Sequence, residues 1–567
     1  MRLQKPFAIL SIVTLALLTL AALPALAQEG AHEEGMNAKT TTEQNAEELA
    51  KLKKKLKELE HKVRSGERKD ALDRVNLSGD FRFEAHSIKA TVPDHFDGLK
   101  LQNLIVNTLF YVSSTGMLPA STDVVDQQIA THYGDYLYFT NNLTYDDLQA
   151  ALAQFPPALQ QQLFGMLMPQ TYVPGYDADN SILYTNRLRL NLHSDMGDNV
   201  SFDGRLSMYK VFGDSTGVQV FNGQPTSLNV DGTTTGVPNS DIVRVERAYF
   251  NWSNIGGVPF YLSIGRRPST GGAPLNFRQD EPRGGTPLGS VIDYQFDGIT
   301  AGYHINDYST VRLCYGLGYE SGFGNGELLK LPADRLKDAT FLGLNWDVLD
   351  TEKMFIQTTV ARAFDVTDGF NGQVVFTQDP LTGNAINAPV VLRFTPSSNL
   401  GDIDLASVVL IRQDGPFDWF VSGNYMESHP NPVTTPFGGL FSDPFELPKD
   451  HNGSMWYVGA RYKLPNGKTK IGAEVNHGSQ YWFNFALAED DLIAPKTSTR
   501  GTVWELYLTH RITDRFILKL DYIDYDYEWS QSGWHVGAPK RLDSTPTLGF
   551  PTYDSASKAS LSLVARF

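Results

Sequence analysis

An all-β, antiparallel barrel of about sixteen membrane-spanning strands is the fold class that this sequence predicts, on three observations. From Arg74 onward apolar and polar residues alternate with a period of two, in segment after segment. The segments pair through tight turns, and each pair is separated from the next by a long connection, so short turns gather at one end and long loops at the other. The alternation then runs to the last residue: in Ser557–Phe567, the side chains of Ala559, Leu561, Leu563, Ala565 and Phe567 share one face. The terminal strand of a soluble domain ordinarily frays. A strand that keeps its pattern to the end is what a closed sheet needs, because closure leaves no unpaired edge.

Composition narrows the class further. The 567 residues are 41% hydrophobic and 11% aromatic, enough for a large folded body. After residue 27, however, no apolar run of about 18 residues occurs, so no ordinary transmembrane helix is expected. A formal net charge of -16 argues against a nucleic-acid binder, which is more often basic. The single cysteine, Cys314, excludes an intrachain disulfide, a multi-thiolate zinc or iron–sulfur site and a CxxCH haem attachment. No cofactor or metal is expected. The 12 histidines are scattered, and Asp521, Asp524 and Asp526 beside Glu528 read better as an acidic rim patch than as a calcium site. HExxH does not occur, no catalytic residue is singled out and no enzyme is expected.

Taken in order, the chain begins with Arg2 and Lys5, an apolar stretch from Phe7 to Leu23 and an A-x-A site at Ala25–Ala27. That is a signal peptide over 1–27, cleaved after Ala27. Residues 28–42 are polar, Glu-rich and expected to form a flexible linker. Over 43–66, Leu49, Leu52, Leu56, Leu59 and Val63 recur with alternating gaps of three and four, which predicts a short periplasmic coiled coil of about two heptads. Its basic run of Lys51, Lys53, Lys54, Lys55 and Lys57 reads either as a solvated helix face or as a trimer-forming, cell-wall-contacting segment.

The barrel is assigned to 74–567. Val75, Leu77, Phe81 and Phe83 alternate with Asn76, Ser78, Asp80, Arg82 and Glu84. Leu188, Leu190 and Leu192 alternate with Arg187, Arg189, Asn191 and His193, and the DMGDN turn leads into Val200, Phe202, Leu206 and Met208. Further hairpins centre on Asn306-Asp307, Asp350-Thr351, Gly415-Pro416, Thr513-Asp514 and Pro465–Lys468, the last with the Asn-Gly pair that tight turns favour. IVRVERAYFNW and FYLSIGR supply one more pair. The long connections run roughly over 87–180, 213–240, 268–289, 321–337, 365–401, 429–453, 478–500 and 530–555. The first exceeds an ordinary loop and holds a helical insertion at about 100–170, where LTYDDLQAALAQFPPALQQQLFGMLM reads as two amphipathic helices broken at Pro156-Pro157. Aromatic clusters at Tyr249, Phe250 and Trp252, at Trp346, at Trp419 and Phe420, at Trp456 and Tyr457, and from Tyr522 to Trp529 suit interfacial girdles.

In a water-filled lumen the inward residues set selectivity. Taking the polar phase as inward gives Arg82, Arg187, Arg189, Arg205, Arg244 and Arg312 as candidate pore-lining groups. They read either as a basic stripe facing carboxylates or phosphates, or as partners of Asp80, Glu84, Asp203 and Glu246. GRRPSTGGAPLNFRQDEPRGG, Gly265–Gly285, brings Arg266, Arg267, Arg278 and Arg283 together with Asp280 and Glu281. It reads either as a loop turned inward to form a constriction or as an external loop whose charges compensate one another.

With the signal peptide and the Lys/Leu-rich helix, the segments RVNLSGDFRFEAH, VERAYFNW, GRRPSTGGAPLNFR and the terminal VARF resemble an uncharacterised porin family of Gram-negative outer membranes. The resemblance implies a barrel in the cell outer membrane, surrounded by outer-membrane lipid and assembled as a homotrimer. Phe567 is similar to the terminal aromatic signal that the barrel assembly machinery reads. The expected function is passive diffusion of small hydrophilic solutes or ions, with an anion preference set by the arginines. Two alternatives stay open: a scaffold barrel enclosing a periplasmic partner such as a multihaem cytochrome, and an outer-membrane lipid-modifying enzyme.

Overall fold

The computed structural model describes residues 51–57, 59–60, 75–213, 238, 240–323, 331–332, 335–369, 372–378, 385–394, 396–543 and 545–567. Residues 1–74 and 75–567 form two units. In the first, 51–57 and 59–60 are helical, with Leu52, Leu56 and Leu59 exposed. The signal peptide and linker expected over 1–42 lie outside the described residues, as does the rest of the expected 43–66 helix.

The second unit is a closed barrel of sixteen strands. In chain order these are β1 (Val75–Val92), β2 (Tyr176–Gly197), β3 (Val200–Val211), β4 (Ser240–Trp252), β5 (Phe260–Arg266), β6 (Asp297–Asn306), β7 (Ser309–Tyr319) and β8 (Ala339–Asp350). There follow β9 (Met354–Thr367), β10 (Asn399–Asp414), β11 (Phe417–Pro430), β12 (His451–Lys463), β13 (Thr469–Gly478), β14 (Gly501–Arg511), β15 (Phe516–Tyr527) and β16 (Ser555–Arg566). Each strand pairs antiparallel with the next, and β16 pairs with β1 from Asp80↔Arg566 to Thr91↔Ser555. An even strand count lets that last pairing be antiparallel too.

The seam explains the aromatic terminus. The amide of Gly79 donates to the Phe567 carbonyl at 3.0 Å, and the Phe567 amide donates to the Gly79 carbonyl at 3.0 Å. The Phe567 ring lies where a Cβ on residue 79 would stand, 2.7 Å from that point, so only glycine admits it. The last residue is therefore a paired part of the sheet.

Burial across the wall is inverted relative to a water-soluble protein. Leu344, Trp346, Val408, Trp456, Leu506 and Leu561 are exposed on the outside, while Asp80, Arg82, Glu84, Arg187 and Glu246 are buried inside. An apolar exterior over a fully paired sheet is the arrangement that lipid requires of strands. Leu344, 48% exposed in mid-strand, gives a direct check. Replacing it by Arg is expected to cost about 2–4 kcal/mol of folding stability in bilayers, measured by urea titration in vesicles. An unchanged midpoint would place that face outside the apolar phase.

The expected aromatic clusters split between the two faces. Phe250, Trp252, Trp346, Trp456 and Tyr522 stand outside, but Phe420, Tyr457, Tyr525 and Tyr527 are buried inside. Neighbouring residues on a strand point opposite ways, so a cluster read along the chain cannot all face lipid. The acidic residues divide likewise. Asp521 faces the lumen, where Lys558 lies 3.9 Å away, while Asp526 is exposed on the outer face.

The long first loop, 93–175, carries five helices: α1 (Gly98–Thr115), α2 (Thr122–Thr131), α3 (Tyr133–Asn142), α4 (Tyr145–Ala153) and α5 (Pro157–Leu167), the last two being the pair read on either side of Pro156-Pro157. Thr144 and Asp147 form a capping box on α4, and Pro157 occupies the first turn of α5, where its missing N–H costs nothing. The helices pack on their own small core of Leu101, Ile105, Leu109 and Leu167. They lean on the loop between β11 and β12, where Gln149 Nε2 donates to Thr434 Oγ1 at 3.2 Å and the Tyr145 and Phe445 rings lie 5.7 Å apart. The first loop thus stands at the long-loop rim, and other segments fill the lumen.

Candidate functional site

Among the described residues, two loops turn into the barrel. The first, 267–296 between β5 and β6, begins at Gly265, whose φ of 130° and 2.3 Å approach of a notional Cβ to the Ala248 carbonyl admit only glycine. Gly272 lets the loop fold on itself, since a Cβ there would lie 2.1 Å from the Pro287 carbonyl. The loop buries Leu275, Phe277, Leu288, Val291 and Ile292 against inward Phe341, Phe355, Ile403, Leu405, Val409, Phe420 and Met426. The inner wall of β8–β12 is therefore largely apolar where the alternation had predicted a polar lining. Contact with the loop replaces contact with water on that side.

Charges fix the tip of the same loop. Asp280 meets Arg461 of β12 at 3.1 Å and Lys470 of β13 at 2.5 Å. Those strands lie across the barrel from the loop's origin at β5 and β6. Glu281 meets Arg189 of β2 at 2.7 Å, and Arg283 meets Asp350 of β8 at 2.8 Å. The loop therefore spans the lumen from wall to wall. Arg266 and Arg267 stay near its root: Arg266 lies 3.2 Å from Asp297, and Arg267 donates to Ser263 and lies over the Tyr249 ring.

The second loop, 479–500 between β13 and β14, was expected as a long connection, but its inward course was not. Its Glu489, Asp490 and Asp491 supply the counter-charges. Arg278 reaches Asp491 at 2.9 Å, Glu505 of β14 at 3.1 Å and Glu489 at 3.4 Å. Lys496 bridges Glu474 and Glu505 at 2.7 and 2.6 Å. Asp490 accepts from Arg82 Nη2 at 2.9 Å and from Arg187 Nη1 at 2.7 Å. A clue was present in YWFNFALAEDD, since an aromatic run is out of place in a water-exposed loop.

The candidate wall arginines are individually paired. Arg82 also meets Glu84 at 2.9 Å, Arg189 meets Asp80 at 2.7 Å, and Arg205 meets Glu246 at 3.1 Å. Arg312 lies 2.8 Å from Asp347. Arg244 is half-buried on β4 opposite Ser207 in register, and Asp203 meets His193 at 2.7 Å. The paired reading of the arginines describes this wall better than a bare basic stripe. Among the wall residues that escaped the sequence reading is Arg247. A register shift sets Arg205 opposite Arg247 and Leu206 opposite Val245, so Glu246 is the extra residue of a bulge. Arg247 then holds the first loop by its backbone, donating to the carbonyls of Gly284 at 3.0 Å and Thr270 at 2.9 Å.

Between the inward loops and the β1–β5 wall remains a cavity of about 640 Å³. It reaches Ser78, Arg566 and Phe567 at the short-turn end and ends against Arg187 and Asp490. Seven arginines, at 187, 189, 205, 247, 278, 283 and 566, face the carboxyl groups of Asp80, Glu246, Glu281, Asp293, Glu489 and Asp490 around it. Among the described residues, no group of three or more His, Cys, Asp or Glu side chains is arranged to hold a metal ion.

In comparisons with solved structures, the chain is similar to OprB of Pseudomonas putida in a high-pH structure, at 12% identity over 89% of this chain and 97% of that one, with a TM-score of 0.40. It is similar to the outer membrane channel DcaP of Acinetobacter baumannii at 10% identity, over 87% and 97%, with a TM-score of 0.37. An anion-selective porin from Comamonas acidovorans aligns at 9% identity, over 87% and 99%, with a TM-score of 0.40. No curated protein matches by sequence. Residues 177–567, from the start of β2 to the terminus, match a family whose description is "Protein of unknown function (DUF3373)", and the chain belongs to that family.

Proposed function

We propose that this protein is an outer-membrane channel that passes small hydrophilic solutes and ions, favours anions, and is kept narrow by its own two inward loops. The observation that carries this reading is a charged cavity of about 640 Å³ inside a closed barrel whose exterior is apolar. A lumen of that kind holds water, and polar groups projecting into it filter solutes by charge and size. Arg566, which lines the cavity at its short-turn end, supports the anion preference. Export by a signal peptide over 1–27, insertion through the assembly machinery that reads Phe567, and trimerisation through the 43–66 helix belong to the same proposal. A scaffold role around a cytochrome fits poorly, because the inward loops leave far less room than a protein domain needs.

Swelling of protein-loaded liposomes tests the channel. A neutral pentose and the salt of a small monocarboxylate should both enter, the carboxylate faster than a monovalent organic cation. Arg566→Glu should lower that anion-to-cation ratio severalfold while leaving pentose entry nearly unchanged. Liposomes that hold folded protein and do not swell in any solute would rule the channel out.

A further inference from the structure

We propose that the long-loop end of the lumen contains a binding site for a small uncharged aromatic molecule, of benzene or phenol size, formed by a chain of aromatic rings around a cavity. The chain joins four separate segments. Tyr294 and Phe296 of the first inward loop have ring centroids 5.0 Å apart, and Phe296 stacks on Phe341 of β8 at 5.3 Å and 23°. Phe341 meets Phe485 of the second inward loop edge-on at 5.9 Å, and Phe485 meets Phe483 at 5.1 Å. Phe483 continues to His535 at 5.4 Å, beside Trp534, in the loop between β15 and β16.

These rings enclose about 170 Å³. A cavity of about 150 Å³ with apolar walls stays dry and takes up benzene, so the volume suits one six-membered ring. Phe341 and Phe483 are buried, while Phe296, Phe485 and Trp534 are only partly so. Edge-on and offset approaches are the geometry that a further ring can join. No Asp, Glu, Lys or Arg lines the space, so a charged ligand would lose its hydration without gaining a partner. The Asn484 amide already donates to the Ser290 carbonyl at 2.9 Å and to Thr497 Oγ1 at 3.1 Å. His535 Nε2 lies 2.7 Å from the Thr367 carbonyl. Behind the Phe296–Phe341 stack lies a space of only about 60 Å³, too small for a second ring, so the stack is the floor of the site.

The voids that interior packing leaves are ordinarily few and small. This one lies where the two inward loops and the loops after β9 and β15 meet the ends of β7, β8 and β9 at the rim, which is the position of a site filled from outside. It stands apart from the arginine-lined cavity and does not depend on conduction.

The test is ¹⁹F line broadening of fluorobenzene by the full-length protein in detergent micelles, with phenol as competitor. Saturable broadening that phenol reverses is expected. Gly318→Trp should abolish it. Residue 318 lines the cavity, and a Cβ there has Ala339 O, at 3.4 Å, as its nearest neighbour, so the new ring can enter the space without displacing backbone. Phe485→Leu, which removes one wall, should weaken binding severalfold, with folding of each variant checked by circular dichroism. Broadening that rises linearly with micelle concentration and is equal in wild type and Gly318→Trp would reflect partition into detergent and overturn the site. Absence of liposome swelling together with intact fluorobenzene binding would remove the channel reading alone.

Discussion

Arg278→Ala is expected to widen the lumen, raising single-channel conductance severalfold and shifting selectivity toward cations. Arg278 is the main tie between the two inward loops, with contacts of 2.9–3.4 Å to Asp491, Glu505 and Glu489. Removing one partner of a buried ion pair costs about 3–5 kcal/mol, because the other charge is left desolvated and uncompensated. Glu505 keeps Lys496 at 2.6 Å, so the deficit falls mainly on Asp491 and Glu489. Hydrating those carboxylates requires water to enter between the loops, and water there is a conducting path lined by negative charge. Planar-bilayer currents in a salt gradient read both effects. Lower stability with unchanged conductance would mean that the tip of 267–296 is held by its other ties alone.

Asp490→Ala should also raise conductance, but with the opposite shift in selectivity. Its carboxylate joins Arg82 and Arg187 at the inner limit of the cavity. Without it Arg82 retains Glu84 at 2.9 Å, while Arg187 retains only the looser contact to Asp80 at 3.6 Å. The stability loss should lie near the lower end of about 3–5 kcal/mol, and two arginines would face the opened path. The reversal potential should then move toward that of the anion. A general loosening of the plug would move both variants in one direction. Opposite shifts follow only if these particular charges line the path.

The sixteen strands were legible in the sequence because lipid outside and polar groups inside impose a strict period of two on Phe81, Phe83, Leu188, Leu190 and their neighbours. Strand ends were less so. β1 runs on to Val92 and β2 begins at Tyr176, because beyond the apolar belt residues such as Lys89 and Asp179 pair in register without any need to alternate. The inward apolar wall was hidden for a different reason. Val408 is 50% exposed on the outside and Val409 is fully buried inside, so SVVLI reads as an unbroken apolar run. Such a run in a barrel strand marks a face covered by another segment.

Gly265–Gly285 was singled out from its composition; Arg278, Asp280, Glu281 and Arg283 make ion pairs across the lumen, while Arg266 and Arg267 stay near the root. The partners were not recognised, since nothing local in EDD predicts that Asp490 reaches β1 and β2. Arg247 was lost to the bulge: a one-residue slip reverses the facing of everything beyond it, and the apolar pair Val245 and Phe250, an odd number of residues apart on one outer face, was the trace it left.

The most direct test of the central claim, a lumen that conducts around two inward loops, is the single-channel current of the wild-type protein in a planar bilayer under a potassium chloride gradient. Small, discrete steps with a reversal potential displaced toward chloride are predicted. Silence from folded wild-type protein would contradict the account.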